Sequence, residues 1–130
     1  MRTPLDPRRL AERLAPLGYR HVEVLETTGS TSTDLADRVR CGEDLPDMSL
    51  LMAEEQTAGR GRKGRSFEAP ARSQLICSVL LRLPEVSVDR ISLLPLLTGL
   101  SIVEGLRASA DIPIQLKWPN DCVLDGRKLV

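Results

Sequence analysis

Two short segments of this sequence carry residue types suited to phosphate and acyl chemistry. The first is Ala53-Glu54-Glu55-Gln56-Thr57-Ala58-Gly59-Arg60-Gly61-Arg62-Lys63-Gly64-Arg65, with three glycines and four cations between Gly59 and Arg65. Glycines let backbone N–H groups approach a ligand closely, and fixed positive charge attracts anionic oxygens. The second is Lys117-Trp118-Pro119-Asn120-Asp121. Trp118, directly before the proline, is kept out of helix, and the lysine at the strand end ahead of it can stabilise charge building on an acyl-phosphate transition state. Asn120-Asp121 reads as turn chemistry or as help in holding a metal. Gln56 offers a donor and an acceptor together, which suits a polar heterocycle or an exposed turn. Ser30-Thr31-Ser32 places three hydroxyls where a helix begins, either as a cap or as ligand contacts.

Gly59 to Ser66 nearly matches the phosphate-loop pattern, with Arg65 where that pattern has lysine. That motif also needs a helix to start at once, its N-terminus aimed at phosphate. Ser66-Phe67-Glu68-Ala69-Pro70 has no helical periodicity and contains a proline. The loop also looks like an arginine-glycine tail that binds nucleic acid. It is a single copy in a chain of formal net charge +0, so nothing global pulls the protein toward nucleic acid or a membrane. Single Phe67, Tyr19 and Trp118 leave no aromatic platform for stacked bases. A merely solvated surface loop stays open, and small-molecule phosphate binding is the reading these tests leave in front.

The elements that must position these residues follow from pattern. With 130 residues, one domain is expected. Asp6-Pro7 starts a helix whose face is Leu10, Leu14 and Leu17, ended by Gly18. His21 to Glu26 alternates as a strand, and Thr27 to Thr33 is a loop. A helix is predicted from about Ser32 to Arg40, a short buried strand at Leu50 to Ala53, and loop from Gln56 to Ser73. A second buried strand is predicted from Leu75 to Leu83. Asp89 to Ala108 reads as a long apolar helix in which Pro95 forces a kink or a late start. Ile114 to Trp118 and Cys122 to Leu124 are strands, and Asp125-Gly126 is a two-residue hairpin turn. A returning strand begins at Arg127 and reaches Val130 after four residues. The fold class expected is α+β, a mixed sheet packed by helices. Three cysteines (Cys41, Cys77, Cys122) suit neither a zinc site nor a disulfide framework and fit a reducing cytoplasm. Cys77 and Cys122 are expected in the core, and lone His21 is expected to be structural. No signal peptide or membrane span is read from the sequence.

Together these residues carry a resemblance. Glu54 to Arg65, followed by Phe67 and Pro70, resembles the biotin-loop signature of bacterial biotin–protein ligases. Lys117 to Asp121, then Arg127-Lys128-Leu129, resembles their lysine motif, and Gly29-Ser30-Thr31-Ser32 their Ser-Thr-Asn element. Order and spacing agree from about Leu25 onward. The resemblance implies the biotin/lipoate ligase-like, class II synthetase-like catalytic fold. It also implies ATP-dependent activation of biotin to biotinyl-5′-adenylate, then transfer to a lysine of a carrier domain such as that of acetyl-CoA carboxylase. By the same resemblance, Ser30, Thr31, Ser32 and Gln56 contact the biotin head group. Arg60, Gly61 and Arg62 wrap the acyl end and the phosphate. Arg65 assists with the nucleotide, and Lys117 bridges the carboxyl oxygen and the α-phosphate. Catalytic weight falls on Lys117, Arg60 and Arg62, with ATP and biotin as substrates and Mg²⁺ on the outer phosphates.

Ser32 stands where that family usually has Asn, and Phe67 where Trp is usual. No winged helix–turn–helix segment is read before the catalytic part, so no repressor role is implied. The family's sheet continues past Lys128-Leu129 into further strands, helices and an SH3-like domain. The expectation is therefore a partial catalytic domain, weakly active or inactive alone, whose unfinished sheet edge can also drive association. The expected setting is cytoplasmic, with a carrier protein as partner, no nucleic acid or membrane partner, and a homodimer admitted by the family. Three readings stay open beside the ligase: a lipoyl or octanoyl transferase of the same fold, a non-catalytic protein that holds biotin or its adenylate, and a nucleic-acid module.

Overall fold

In the computed structural model, residues 2–61 and 64–129 are described. The chain divides into two compact units, Met1–Arg82 and Leu83–Val130.

The first unit is built around one strand. Asp6 caps α1 (Pro7–Leu14): its Oδ1 accepts from the Arg8 and Arg9 N–H groups at 3.0 and 3.2 Å, and Pro7 supplies a helical φ where no N–H is needed. Strand β1 (His21–Thr28), helix α2 (Thr31–Arg40) and strand β2 (Ser49–Arg60) follow. β1 and β2 pair in parallel, from His21↔Ser49 to Thr28↔Gln56, with α2 in the crossover. On its other edge β2 takes two antiparallel partners in turn. β4 (Ile76–Leu80) covers Ser49 to Ala53. β3 (Ser66–Ala69) covers Gln56 to Arg60, with a register shift between Gln56 and Gly59.

Burial explains why β2 is central. Every residue from Ser49 to Glu54 is buried. Leu51 packs with Leu35 and Leu45, flanked by Leu25, Val39 and Leu80. Ala53 packs with Ala69 and Ile76. Each such large apolar side chain contributes about 1.5–3 kcal/mol on burial. A buried strand must also satisfy all its amides and carbonyls, and flanking partners on both edges do that.

Several expectations change here, among them the buried strand expected at Leu75 to Leu83, which runs only over Ile76–Leu80 with Ile76 alone buried because β4 faces solvent on one side. Gln56 to Ser73 is not loop throughout: β2 runs on to Arg60 and β3 pairs with it. The ladder overrides the glycine-rich composition, because β1 already reaches Gln56 and extends the hydrogen-bonded register. Cys77 is exposed rather than in the core. It alternates with buried Ile76 on β4, so its side chain takes the opposite face. The helix expected from Ser32 starts one residue earlier, at Thr31, because Ser30 is its cap. His21 is structural as expected. It lies 3.3 Å from Glu23, whose carboxylate also takes Arg38 at 2.8 Å. The Arg38 hydrogen bond is the main reason the Glu23 carboxyl is held below its ordinary value.

In the second unit Pro95 delays the helix instead of kinking it. A short α3 (Val88–Ile91) is followed by α4 (Leu94–Ala110), with Pro95 in the first turn. Strands β5 (Gln115–Lys117), β6 (Asp121–Leu124) and β7 (Arg127–Lys128) form an antiparallel sheet. Asp125 and Gly126 turn the β6–β7 hairpin with φ of 49° and 75°, the two positive values of the tight hairpin turn. Val103, Ile114 and Cys122 are the core of this unit. Gly99 permits the approach of α4, since a Cβ there would lie 2.5 Å from the Leu116 Cδ1. Cys122 is buried as expected, its thiol pushed up first by burial and then by Asp121. Against the expectation of no span, Val88–Ala110 is long and apolar enough to cross a membrane by length and composition alone. The break at Ser92-Leu93 leaves α4 with 17 residues, the short end of the ~17–25 a bilayer needs.

Candidate functional site

The far half of β2 meets the start of α2, and there the sequence-predicted residues converge. Ser30 is extended, with φ −162° and ψ 122°, and its hydroxyl accepts from the Thr33 N–H. That is ordinary capping. Thr31, next in line, is 2% exposed. Its N–H donates to the Gln56 Oε1 at 3.1 Å, and its hydroxyl reaches the same oxygen at 3.5 Å. Thr31 Oγ1 also lies 2.8 Å from Ser78 Oγ on β4. The Gln56 amide is thus fixed through its oxygen, and its other arm carries two N–H donors. Thr28 beside it donates to the Asp34 carboxylate.

A second set of contacts ties the turn before α2 to β2. The Ala58 N–H donates to the Gly29 carbonyl at 2.9 Å, and the Thr57 hydroxyl to the Thr28 carbonyl at 3.3 Å. A cleft of about 210 Å³ lies against this half of the strand, lined by Glu55, Gln56, Thr57, Ala69 and Pro70. A larger hollow of about 390 Å³ is lined by Glu23, Leu25, Asp34, Asp37, Arg38 and Leu51. It holds none of the candidate residues, and its three carboxylates would repel an anion.

Arg60 ends β2, exposed, opposite Ser66. The Gly61 N–H donates to the Arg65 carbonyl at 2.7 Å, closing the loop on itself. A Cβ at Gly61 would sit 3.4 Å from both the Cβ and the carbonyl oxygen of Arg65, so the closure is close-packed there. Arg65 is exposed, as is Ser32 on α2. Arg62 and Lys63 lie outside the described residues.

The structure therefore brings Ser30, Thr31 and Gln56 together and sets Arg60, Gly61 and Arg65 at the open end of the same strand. Lys117 belongs to the second unit, where it is exposed at the end of β5 opposite Asp121. Asp121 in turn accepts from the Lys128 Nζ at 2.7 Å. This ties the two halves of the second motif, Lys117 to Asp121 and Arg127 to Leu129, into one hairpin. Among the described residues no three His, Cys, Asp or Glu side chains cluster as a metal site.

Sequence reasoning missed Glu54 as anything but the start of the loop motif. It is 1% exposed and paired 2.7 Å from the Arg2 guanidinium. The available signal was a charged residue directly after the apolar run Leu50 to Ala53.

A family model described as the biotin/lipoate A/B protein ligase family matches residues 24–130. The chain is 42% identical to the biotin–[acetyl-CoA-carboxylase] ligase of Mycobacterium tuberculosis, across 99% of this chain and 50% of that protein. It is similar to the structure of the biotin protein ligase from Aquifex aeolicus in complex with biotin and ATP, with TM-score 0.68 and 34% identity. That match covers 81% of this chain and 42% of the other. It is also similar to the biotin protein ligase from Leishmania major in complex with biotinyl-5-AMP, with TM-score 0.64 and 29% identity, over 82% and 48% of the two chains. The chain thus spans about half the length of the first of these relatives. The fold is α+β with a mixed sheet, as expected, and it is the fold of these ligases.

Proposed function

This chain belongs to the biotin/lipoate A/B protein ligase family, and we propose that it is the part of a biotin–protein ligase that binds biotin and joins it to AMP. One observation carries the reading. Gln56, held by Thr31, and Arg60 lie on a single strand, in a chain that matches a biotin–[acetyl-CoA-carboxylase] ligase over nearly all its length.

The chemistry follows from charge. A biotin carboxylate oxygen attacks the α-phosphorus of ATP, the bond to the pyrophosphate oxygen breaks, and biotinyl-5′-adenylate and pyrophosphate form. Two anions must meet for that step, and unscreened they repel. In this reading Arg60, Arg62 and Arg65 offset the repulsion, and Lys117 bears on the oxygen between carboxyl and phosphorus. Thr31 and Gln56, with Ser30 and Ser32 at the same helix start, hold the polar head of biotin. Gly61 leaves room for the acyl chain beside the backbone. In the second step the amine of a carrier-domain lysine attacks the acyl carbon, AMP leaves, and an amide remains. Mg²⁺ would neutralise the outer phosphates. With no three-ligand cluster among the described residues, it fits as a companion of the triphosphate rather than as an ion held by this chain. A biotin carboxyl carrier protein as partner, a cytoplasmic setting and a homodimer belong to the same reading. The cytoplasmic setting is supported by free Cys41, Cys77 and Cys122.

The test is biotin-dependent release of pyrophosphate from ATP. It is run on residues 1–130 and on a longer protein that supplies the other half, each beside Lys117→Ala. Release should require biotin and fall about a hundredfold or more in Lys117→Ala, as expected for loss of a transition-state charge partner. Absence of biotin-dependent release from both forms, with binding to nucleic acid that weakens steeply with salt, would overturn the reading.

A further inference from the structure

Glu54 is a carboxylate buried where the strand turns from core to candidate site, and three separate segments converge on it. Its Oε1 accepts from the Leu5 N–H at 2.5 Å, and its Oε2 is paired with the Arg2 guanidinium at 2.7 Å. Its own carbonyl accepts from the Arg72 N–H at 2.8 Å. Arg2 continues outward: its N–H donates to the Arg72 carbonyl at 3.3 Å, and its guanidinium to the Gln74 carbonyl at 3.2 and 3.3 Å. Arg72, in the turn between β3 and β4, sits at φ 59° and reaches Glu26 at 3.1 Å. The segment 2–5, strand β2 and the β3–β4 turn are thereby tied at one point.

That point is the root of the β2–β3 hairpin. Gln56 pairs with Ala69, the rung nearest to Glu54 and Arg72. Beyond this rung the register shifts, so pairing alone holds the far end of the hairpin less well. An ion pair with its carboxylate buried and its guanidinium partly exposed adds little net stability compared with an apolar pair of the same shape. The cost is visible: among the described residues Glu54 Oε2 and Arg72 Nε are both buried with no hydrogen-bond partner, so Arg2 faces Glu54 as an ion pair rather than through an aligned N–H···O bond. Burial works to raise the Glu54 pKa, but the Leu5 N–H, Arg2 and Arg72 outweigh it and hold the carboxyl below its ordinary value. The side chain is therefore a fixed anion at neutral pH.

We propose that Glu54 is a positioning residue. With Arg2, the Leu5 amide and the Arg72 turn, it clamps the root of the β2–β3 hairpin and so holds Gln56 and Arg60 in place for the ligand. This rests on the function proposed above, which supplies biotin as that ligand. Glu54 does not touch the reacting atoms. It acts through the strand, and Arg2–Leu5 is the strap that completes the clamp.

The experiment compares wild-type full-length protein with Arg2→Ala, Arg2→Lys and Glu54→Gln. Amide hydrogen exchange is read without ligand, and kcat and KM for biotin are read in adenylation. Arg2→Ala and Glu54→Gln should speed exchange at Ala58 and Gly61 about tenfold, with Val22 and Val24 on β1 unchanged, as for a local opening. KM for biotin should rise about tenfold while kcat stays within about twofold, because the binding half of the strand is misplaced. Arg2→Lys should recover most of both. If Glu54→Gln fails to fold, Arg2→Ala carries the test, since Arg2 is partly exposed. Unchanged exchange at Ala58 and Gly61 in Arg2→Ala, equal acceleration along β1, or an unchanged KM in an active enzyme would each overturn the proposal. A wild-type protein without biotin dependence that still shows the local exchange pattern would remove the biotin reading and leave the clamp standing.

Discussion

The two halves of β2 are one continuous strand with opposite surroundings. From Ser49 to Glu54 every side chain is buried, and Leu51 and Ala53 each anchor a core cluster. From Thr57 to Arg60 only Gly59 is buried. The near half has a paired strand on each edge, whereas from Thr57 to Arg60 only β3 pairs in register, at Gly59 and Arg60. The two halves therefore differ in backbone pairing as well as in side-chain burial. The near half stores the stability, and the far half carries glycines and cations that no core would accept. A strand divided in this way holds a charged, adaptable surface on a rigid root, which is what ligand contacts on a scaffold require.

If the halves have separate duties, substitutions in them must separate in effect. The largest effect is expected at the exposed end. On the proposed reading, Arg60→Ala lowers kcat/KM for adenylation about a thousandfold, about 4 kcal/mol of transition-state stabilisation. Its melting temperature should stay near wild type, because exposed substitutions usually change stability by less than about 0.5 kcal/mol. A lowered melting temperature in Arg60→Ala would erase the division. The next effect is expected at the buried end. Leu51→Ala should cost about 3 kcal/mol in denaturant unfolding through lost burial and a cavity. KM for biotin in the protein that remains folded should not move. A large KM change with little loss of stability would reverse the assignment of the two halves.

The smallest effect sharpens the boundary at Glu54. Its folded carboxyl lies below the ordinary value of 4.5. A depressed folded pKa stabilises the protein above the unfolded pKa, and this contribution is lost as pH falls through the folded value. Glu54→Gln should therefore cost about 2 kcal/mol near pH 7. It should also show a shallower fall in melting temperature below pH 4.5 than wild type. Parallel acid limbs for the two proteins would mean that Glu54 is not the ionised centre of the clamp.

Much of this was legible in the chain itself. Asp6-Pro7 announced α1, alternation marked β1, and Asp125-Gly126 marked the β6–β7 turn, because each depends on neighbours within a few residues. The Gln56–Arg65 and Lys117–Asp121 motifs were recognisable by residue type and spacing alone. What misled was composition read locally. The glycines and cations after Gln56 argued for loop, whereas β1 carries the ladder up to Gln56 and β3 pairs with Gly59 and Arg60 beyond it. Cys77 read as core because the residues around it are apolar, but the pleat of β4 turns it outward.

By itself the sequence determined the local elements, the order of the motifs and the charge of the Arg60–Arg65 loop, since these are properties of adjacent residues. Only the tertiary structure decided that Thr31 and Gln56, 25 positions apart, share a hydrogen bond. Only the tertiary structure decided that Arg2 closes on Glu54. Both contacts span long stretches of chain, and their geometry is set by sheet register and core packing, which no short window of residues contains.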